Sequence, residues 1–100
     1  MSLLSAEERF SKAVKISEKI NKNKITEEEL GKVYGLYKQS LFGDCDVKTC
    51  PNIAVDYIGY KKWHNWNNYR GKNKLNSMNE YADLIIDMAD KYGLKEATKK

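Results

Sequence analysis

Between Lys74 and Tyr92 the chain places Leu75, Met78, Ala82, Ile85, Ile86 and Ala89 at spacings of three and four residues. That is the period of an α-helix with one apolar side. Such a helix is stable only if its stripe is covered by other elements, and Tyr92-Gly93 is a natural stop for it. Nowhere does apolar and polar alternation last long enough to make a strand, and there is no internal repeat. The cover must therefore come from other helices, and 100 residues allow them one modest core, so a single domain is expected.

Three further segments can supply that cover. From Ser5 to Asn21, Phe10, Ala13, Val14, Ile16 and Ile20 recur at helical spacing behind a Ser-Ala-Glu-Glu start, and NKNK marks the end. Thr26 precedes three glutamates, so Thr26 is the expected N-cap, Glu29 completes a capping box, and a second helix runs to about Leu41. The stretch FGDCDVKTCPNI then breaks the period with Gly43, Asp44, Asp46, Pro51 and Asn52, all turn formers. A third helix is expected from near Ile58 to near Asn68, with Ile58, Lys62, Trp63 and Trp66 at helical spacing and Gly71 beyond its end. Four helices and a ragged KEATKK tail describe a small all-α bundle.

Composition removes several function classes. With 41% hydrophobic and 32% charged residues and one proline, the chain reads as folded and soluble. Its net charge of +4 favours an anionic partner. Lysines alternate with acids on every segment, which is not the dense basic face of a nucleic-acid binder, so no nucleic-acid partner is expected. The start MSLLSAEERF has no signal-peptide apolar region, and no run reaches membrane-spanning length, so the expected compartment is the cytoplasm. Cys45 and Cys50 in CDVKTC have no second cysteine pair and one distant histidine, His64, which argues against zinc and for free thiols. One histidine, no paired carboxylates and no nucleophile motif leave no catalytic set, so the chain is not read as an enzyme and no metal or cofactor is expected.

The chemistry concentrates in YGLYKQSLFGD, from Tyr34 to Asp44. At about 100° per residue, Leu30, Val33, Tyr37 and Leu41 form the centre of the second helix's stripe, with Tyr34 at its edge and Lys38 beyond. These residues taken alone fit two packing tyrosines and a solvated lysine, or a groove that docks another protein, or an anion site. Lys62 shares a helical side with Ile58 and Trp66, so its ammonium either snorkels to water or reaches an anion held between helices.

In order along the chain, these stretches resemble the acyl-CoA-binding protein family. YGLYKQSLFGD matches that family's second-helix pattern, and DYIGYKKWHNW, from Asp56, its third. NEYADLIIDMADKYG, from Asn79, is similar to its last helix, and FSKA, from Phe10, to its first. The likeness spans about residues 8–93. It implies an up-down-down-up four-helix bundle, monomeric, that binds long-chain fatty acyl-CoA one to one and carries it without performing chemistry. Transient contact with acyl-CoA-using enzymes or membranes is compatible with that role. Carried over residue by residue, Tyr34 and Lys38 would hold the 3′-phosphate of the CoA, Lys62 would add a second ammonium, Tyr37 would line the adenine and Tyr81 would support the head-group site. Trp63 and Trp66 are read as packing residues.

The departures matter as well. Tyr60 and Ile58 stand where family members commonly carry lysines, and Lys61, as the neighbour of Lys62, points elsewhere. Where members often have a basic pair on the first helix, this chain has Glu18 and Lys19, so only Lys19 could assist. Gly31 replaces a large apolar residue; it lies on the bearing of Lys38 and costs the helix about 1 kcal/mol relative to alanine. Gly31 is either a tolerated helix defect or a widening of the ligand groove, in which case leucine there should raise the melting temperature while weakening binding of the longest acyl-CoAs most.

Overall fold

A computed structural model describes residues 5–95; residues 1–4 and 96–100, with most of the KEATKK tail, lie outside the described residues. Four helices follow one another, α1 (Ala6–Ser17), α2 (Glu27–Phe42), α3 (Tyr57–Asn67) and α4 (Lys74–Tyr92), in an up-down-down-up bundle. Short 3₁₀ turns occupy Lys22–Lys24 and Val47–Thr49.

Each helix begins where a side chain can serve its free N–H groups. Ser5 accepts from the Glu8 N–H at 3.1 Å while the Glu8 carboxylate accepts from the Ser5 N–H at 2.9 Å. Thr26 and Glu29 repeat the exchange at α2, at 3.0 and 2.9 Å. Asp56 and Asn73 cap α3 and α4. Gly43 and Gly93 close α2 and α4 with φ of 77°, a left-handed turn that strains any side chain bearing a Cβ.

One boundary differs from expectation. The first helix stops at Ser17, a turn short of Asn21, because the chain after α4 competes for the same backbone. Ile20 forms an isolated antiparallel bridge with Leu94, the Asn21 N–H donates to the Gly93 carbonyl at 2.9 Å, and the Lys95 N–H to the Lys19 carbonyl at 2.6 Å. Ile20 is thereby buried in the core without belonging to a helix.

Helix α4 packs along α1 and α2, and α2 packs against α3. The core is Phe10, Ala13, Ile20, Leu36, Tyr81, Ala82, Ile85 and Met88. Two stripes are rotated relative to the apolar periodicity. On α4, Ser77, Tyr81 and Met88 are buried while Leu75 and Ile86 stay about half exposed, at 53% and 52%. On α2 the buried side is Gly31, Gly35, Leu36, Gln39 and Ser40; of the apolar row, Val33 packs on the core and Tyr37 covers its edge, while Leu30 and Leu41 are exposed.

The reason is how closely α3 approaches. A Cβ on Gly35 would lie 2.3 Å from the Asn65 carbonyl oxygen, and one on Gly31 would lie 2.7 Å from the Asn65 side chain. The two glycines are thus a contact strip for α3, worth more than the helix propensity they give up. At Gly31 the neighbour is the end of the Asn65 side chain, so a leucine there would have to displace that amide, a cost that opposes the expected stabilisation.

No residue of α3 is fully buried, so its position depends on ties at its edges. The Trp66 indole N–H donates to the Gly43 carbonyl at 2.8 Å and that of Trp63 to the Asp46 carbonyl at 3.1 Å, which makes both tryptophans clamps on the preceding loop. Buried Gln39 donates to Asp44 and to the Lys72 carbonyl, both at 2.9 Å, and Asp44 also accepts from the Gly71 N–H at 2.8 Å. The glutamine and aspartate of YGLYKQSLFGD therefore hold the loops at this end of α2 and α3 together.

Candidate ligand cleft between the second and third helices

Tyr34 projects from α2 toward α3 and is half-buried, and burial pushes its hydroxyl pKa up. The Lys38 ammonium, from the next turn of α2, lies 5.9 Å from the centre of the Tyr34 ring, and the Lys62 ammonium, from α3, lies 5.8 Å from it. Lys38 also sits 4.7 Å from the Phe42 ring and 5.2 Å from that of Trp66. Aromatic faces at these distances attract a cation without neutralising it. Among the described residues neither ammonium is paired with a carboxylate, although six other cations are. Two helices thus aim two unneutralised charges at one ring.

Beside that ring opens a cleft of about 290 Å³, with Leu30, Gly31 and Tyr34 from α2 facing Tyr57, Ile58 and Lys62 from α3. Leu30, Tyr57 and Ile58 are 49%, 58% and 68% exposed, so its walls are largely apolar and wet. At its rim Lys61 pairs with Glu27 at 3.2 Å, and this contact holds the lysine pKa above its usual value.

Tyr37 and Tyr81 belong to an adjoining aromatic stack rather than to the cleft. The Tyr37 ring stacks on Phe10 at 5.9 Å and lies 6.0 Å from Tyr81, which is 5.0 Å from Phe10. Tyr37 keeps one side in solvent, whereas Tyr81 is core and lines no open surface; burial pushes its hydroxyl pKa up, partly opposed by a hydrogen bond with Ser17. Its part in any site is to back Tyr37. Lys19 stands apart on the turn after α1, where its carbonyl accepts from Lys95, and it forms no wall of the cleft.

Of the residues singled out in the sequence, Tyr34, Lys38, Lys62 and Gly31 converge, Tyr37 and Tyr81 stand next to them, and Lys19 does not join. Leu30, from the centre of the second helix's apolar stripe, and Lys61, expected to point elsewhere, both line the cleft. The signal for Lys61 was present as Tyr57 four residues before it, since its ammonium lies 5.6 Å from that ring.

A family model described as "Acyl CoA binding protein" matches residues 7–85. The chain belongs to the acyl-CoA-binding protein family. A relative from Dictyostelium discoideum, the acyl-CoA-binding domain-containing protein 6 homolog, is 43% identical over 61 residues. That stretch is 61% of this chain but 20% of the relative, so the chain spans about a fifth of the relative's length. The crystal structure of Oryza sativa acyl-CoA-binding protein 2 superposes with a TM-score of 0.79 at 24% identity, covering 86% of this chain and 90% of that one, and so shares the fold. Membership gives residues 7–85 that family's acyl-CoA-binding domain. Among the described residues no three His, Cys, Asp or Glu side chains cluster as metal ligands, and no helix is long and apolar enough to cross a membrane.

Proposed function

We propose that the protein binds long-chain fatty acyl-CoA thioesters one to one and serves, as a cytoplasmic monomer, to carry and buffer them. The observation that carries this reading is the unpaired Lys38 and Lys62 ammonium groups on one tyrosine ring, at the mouth of an apolar cleft. A 3′-phosphate dianion suits two ammoniums and a tyrosine hydroxyl, which donate charge-assisted hydrogen bonds to it. The solvent side of Tyr37 offers stacking surface to adenine. The cleft beyond, between Leu30 and Gly31 on one side and Ile58 on the other, takes the start of the acyl chain. Each methylene moved from water into apolar contact is worth at most about 0.8 kcal/mol. Phosphate contacts orient the ligand and chain burial tightens it, so neither free CoA nor a free fatty acid satisfies both halves.

Native mass spectrometry with a series of acyl-CoAs, together with calorimetry on palmitoyl-CoA, CoA and palmitate, tests this. One ligand per chain is expected, with palmitoyl-CoA far tighter than either fragment. Palmitate binding as well as palmitoyl-CoA would overturn the proposal.

A further inference from the structure

Lys38 is half-buried, has no carboxylate partner among the described residues, and stands in one row of α2 with Tyr34 and Phe42, four positions to either side. Its ammonium lies 4.7 Å from the Phe42 ring, 5.2 Å from that of Trp66 on α3 and 5.9 Å from that of Tyr34, so aromatic faces from two helices border it. The Lys62 side chain is exposed, and its ammonium has the Tyr34 ring within cation–π reach. The rings at Lys38 are themselves held. The Trp66 indole N–H donates to the Gly43 carbonyl at 2.8 Å, and the ring of Phe42, the residue before Gly43, lies 6.0 Å from that of Trp66. Phe42 ends α2, is 59% exposed and takes no part in the core, so an aromatic at that point does little for folding. What it meets is Trp66 and the lysine four residues before it.

Resting on the proposed function, we infer that Phe42 and Trp66 are positioning residues, which hold the Lys38 ammonium in place for the 3′-phosphate before the ligand arrives. A lysine stem left free in water must be ordered when its ammonium closes on an anion, which lowers affinity by about two- to ten-fold for a long side chain. Ring faces attract the cation without neutralising it, so Lys38 is ordered in the free protein and keeps its charge for the phosphate. Lys62, with one ring and more water around it, is ordered only by the ligand. The two ammoniums therefore serve one phosphate unequally, and the aromatic at Phe42 acts through Lys38 alone.

The experiment is calorimetric titration of wild type, Phe42→Leu and Phe42→Tyr with palmitoyl-CoA and with its 3′-dephospho form, repeated with Phe42→Leu placed on Lys38→Ala and on Lys62→Ala. Leucine keeps apolar bulk and removes the ring; tyrosine keeps the ring. Phe42→Leu should weaken palmitoyl-CoA binding by about two- to five-fold and leave the dephospho ligand where wild type has it, and Phe42→Tyr should restore the affinity. The same loss should appear on Lys62→Ala and vanish on Lys38→Ala. No loss with leucine, a loss shared by both ligands, a loss that persists on Lys38→Ala, or tyrosine as weak as leucine would overturn the positioning role. Equal wild-type affinity for the two ligands would instead overturn the phosphate assignment in the proposed function, and the positioning role with it.

Discussion

Gly35→Ala isolates the close approach on which the cleft depends. In a free helix the substitution would stabilise by about 1 kcal/mol. Here the new Cβ would stand 2.3 Å from the Asn65 carbonyl oxygen and 2.7 Å from the Tyr69 ring. The first of these is backbone within α3, so the contact cannot be relieved by a rotamer change and the whole helix must shift. Overpacking of that kind costs about 1–3 kcal/mol, and a helix displacement belongs at the upper end. Subtracting the propensity gain leaves a net loss of about 1–2 kcal/mol, or roughly 5–10 °C in Tm for a domain of this size. Gly31→Ala is the internal control, because its nearest neighbours are the end atoms of the Asn65 side chain, which can turn aside. Urea unfolding of both variants checks the reasoning: Gly35→Ala should lower the midpoint and Gly31→Ala should leave it close to wild type. If Gly35→Ala matches or exceeds the wild-type midpoint, α3 does not rest on this strip.

Other perturbations test the rest of the molecule. Lys38→Ala and Lys62→Ala should each weaken acyl-CoA binding by about 1.5–3 kcal/mol but scarcely affect the 3′-dephospho ligand, as read by calorimetry; equal losses on both ligands would sink the phosphate assignment. Glu29, which accepts from the Tyr92 hydroxyl and the Thr26 N–H, has its pKa lowered from 4.5 to about 2. Its stabilising contribution should be complete above pH 4.5 and vanish as pH falls toward 2, so wild type and Glu29→Gln should differ in Tm at neutral pH and converge in acid. Trp66→Phe keeps a ring beneath Lys38 but loses the 2.8 Å bond to the Gly43 carbonyl, and should cost about 1 kcal/mol in urea unfolding.

The helices were legible where local chemistry decides them. Thr26 with Glu29, and the Lys74–Tyr92 stripe ending at Gly93, depend on capping and periodicity, which act within a few residues. The early end of α1 was not legible, because Ile20 leaves helical geometry for a partner, Leu94, that is distant in sequence. Which side of α2 is buried was misjudged for a related reason. Periodicity reports where apolar side chains are, and Gly31 and Gly35 contribute none, so a buried strip made of glycine leaves no apolar trace. Among the site residues, Lys38 and Lys62 were readable as cations beside aromatics, whereas Tyr81 could not be told from a lining residue until Phe10 and Tyr37 were seen to cover it.

Had Leu30, Tyr37 and Leu41 been the side of α2 pressed into the bundle, the helix would have no apolar surface to offer a ligand. Because the glycines draw α3 in on one side while Leu36, Gln39 and Ser40 face the interior, the large apolar residues are displaced to the open side. The free protein then carries wet apolar surface at Leu30, Tyr57 and Ile58, and two ammoniums with aromatic faces but no counter-charge among the described residues. Both features are unfavourable in isolation, and covering either one alone leaves the other unsatisfied. A molecule with a phosphorylated head and an apolar chain relieves both at once, so its binding should stabilise the fold as well as fill the site.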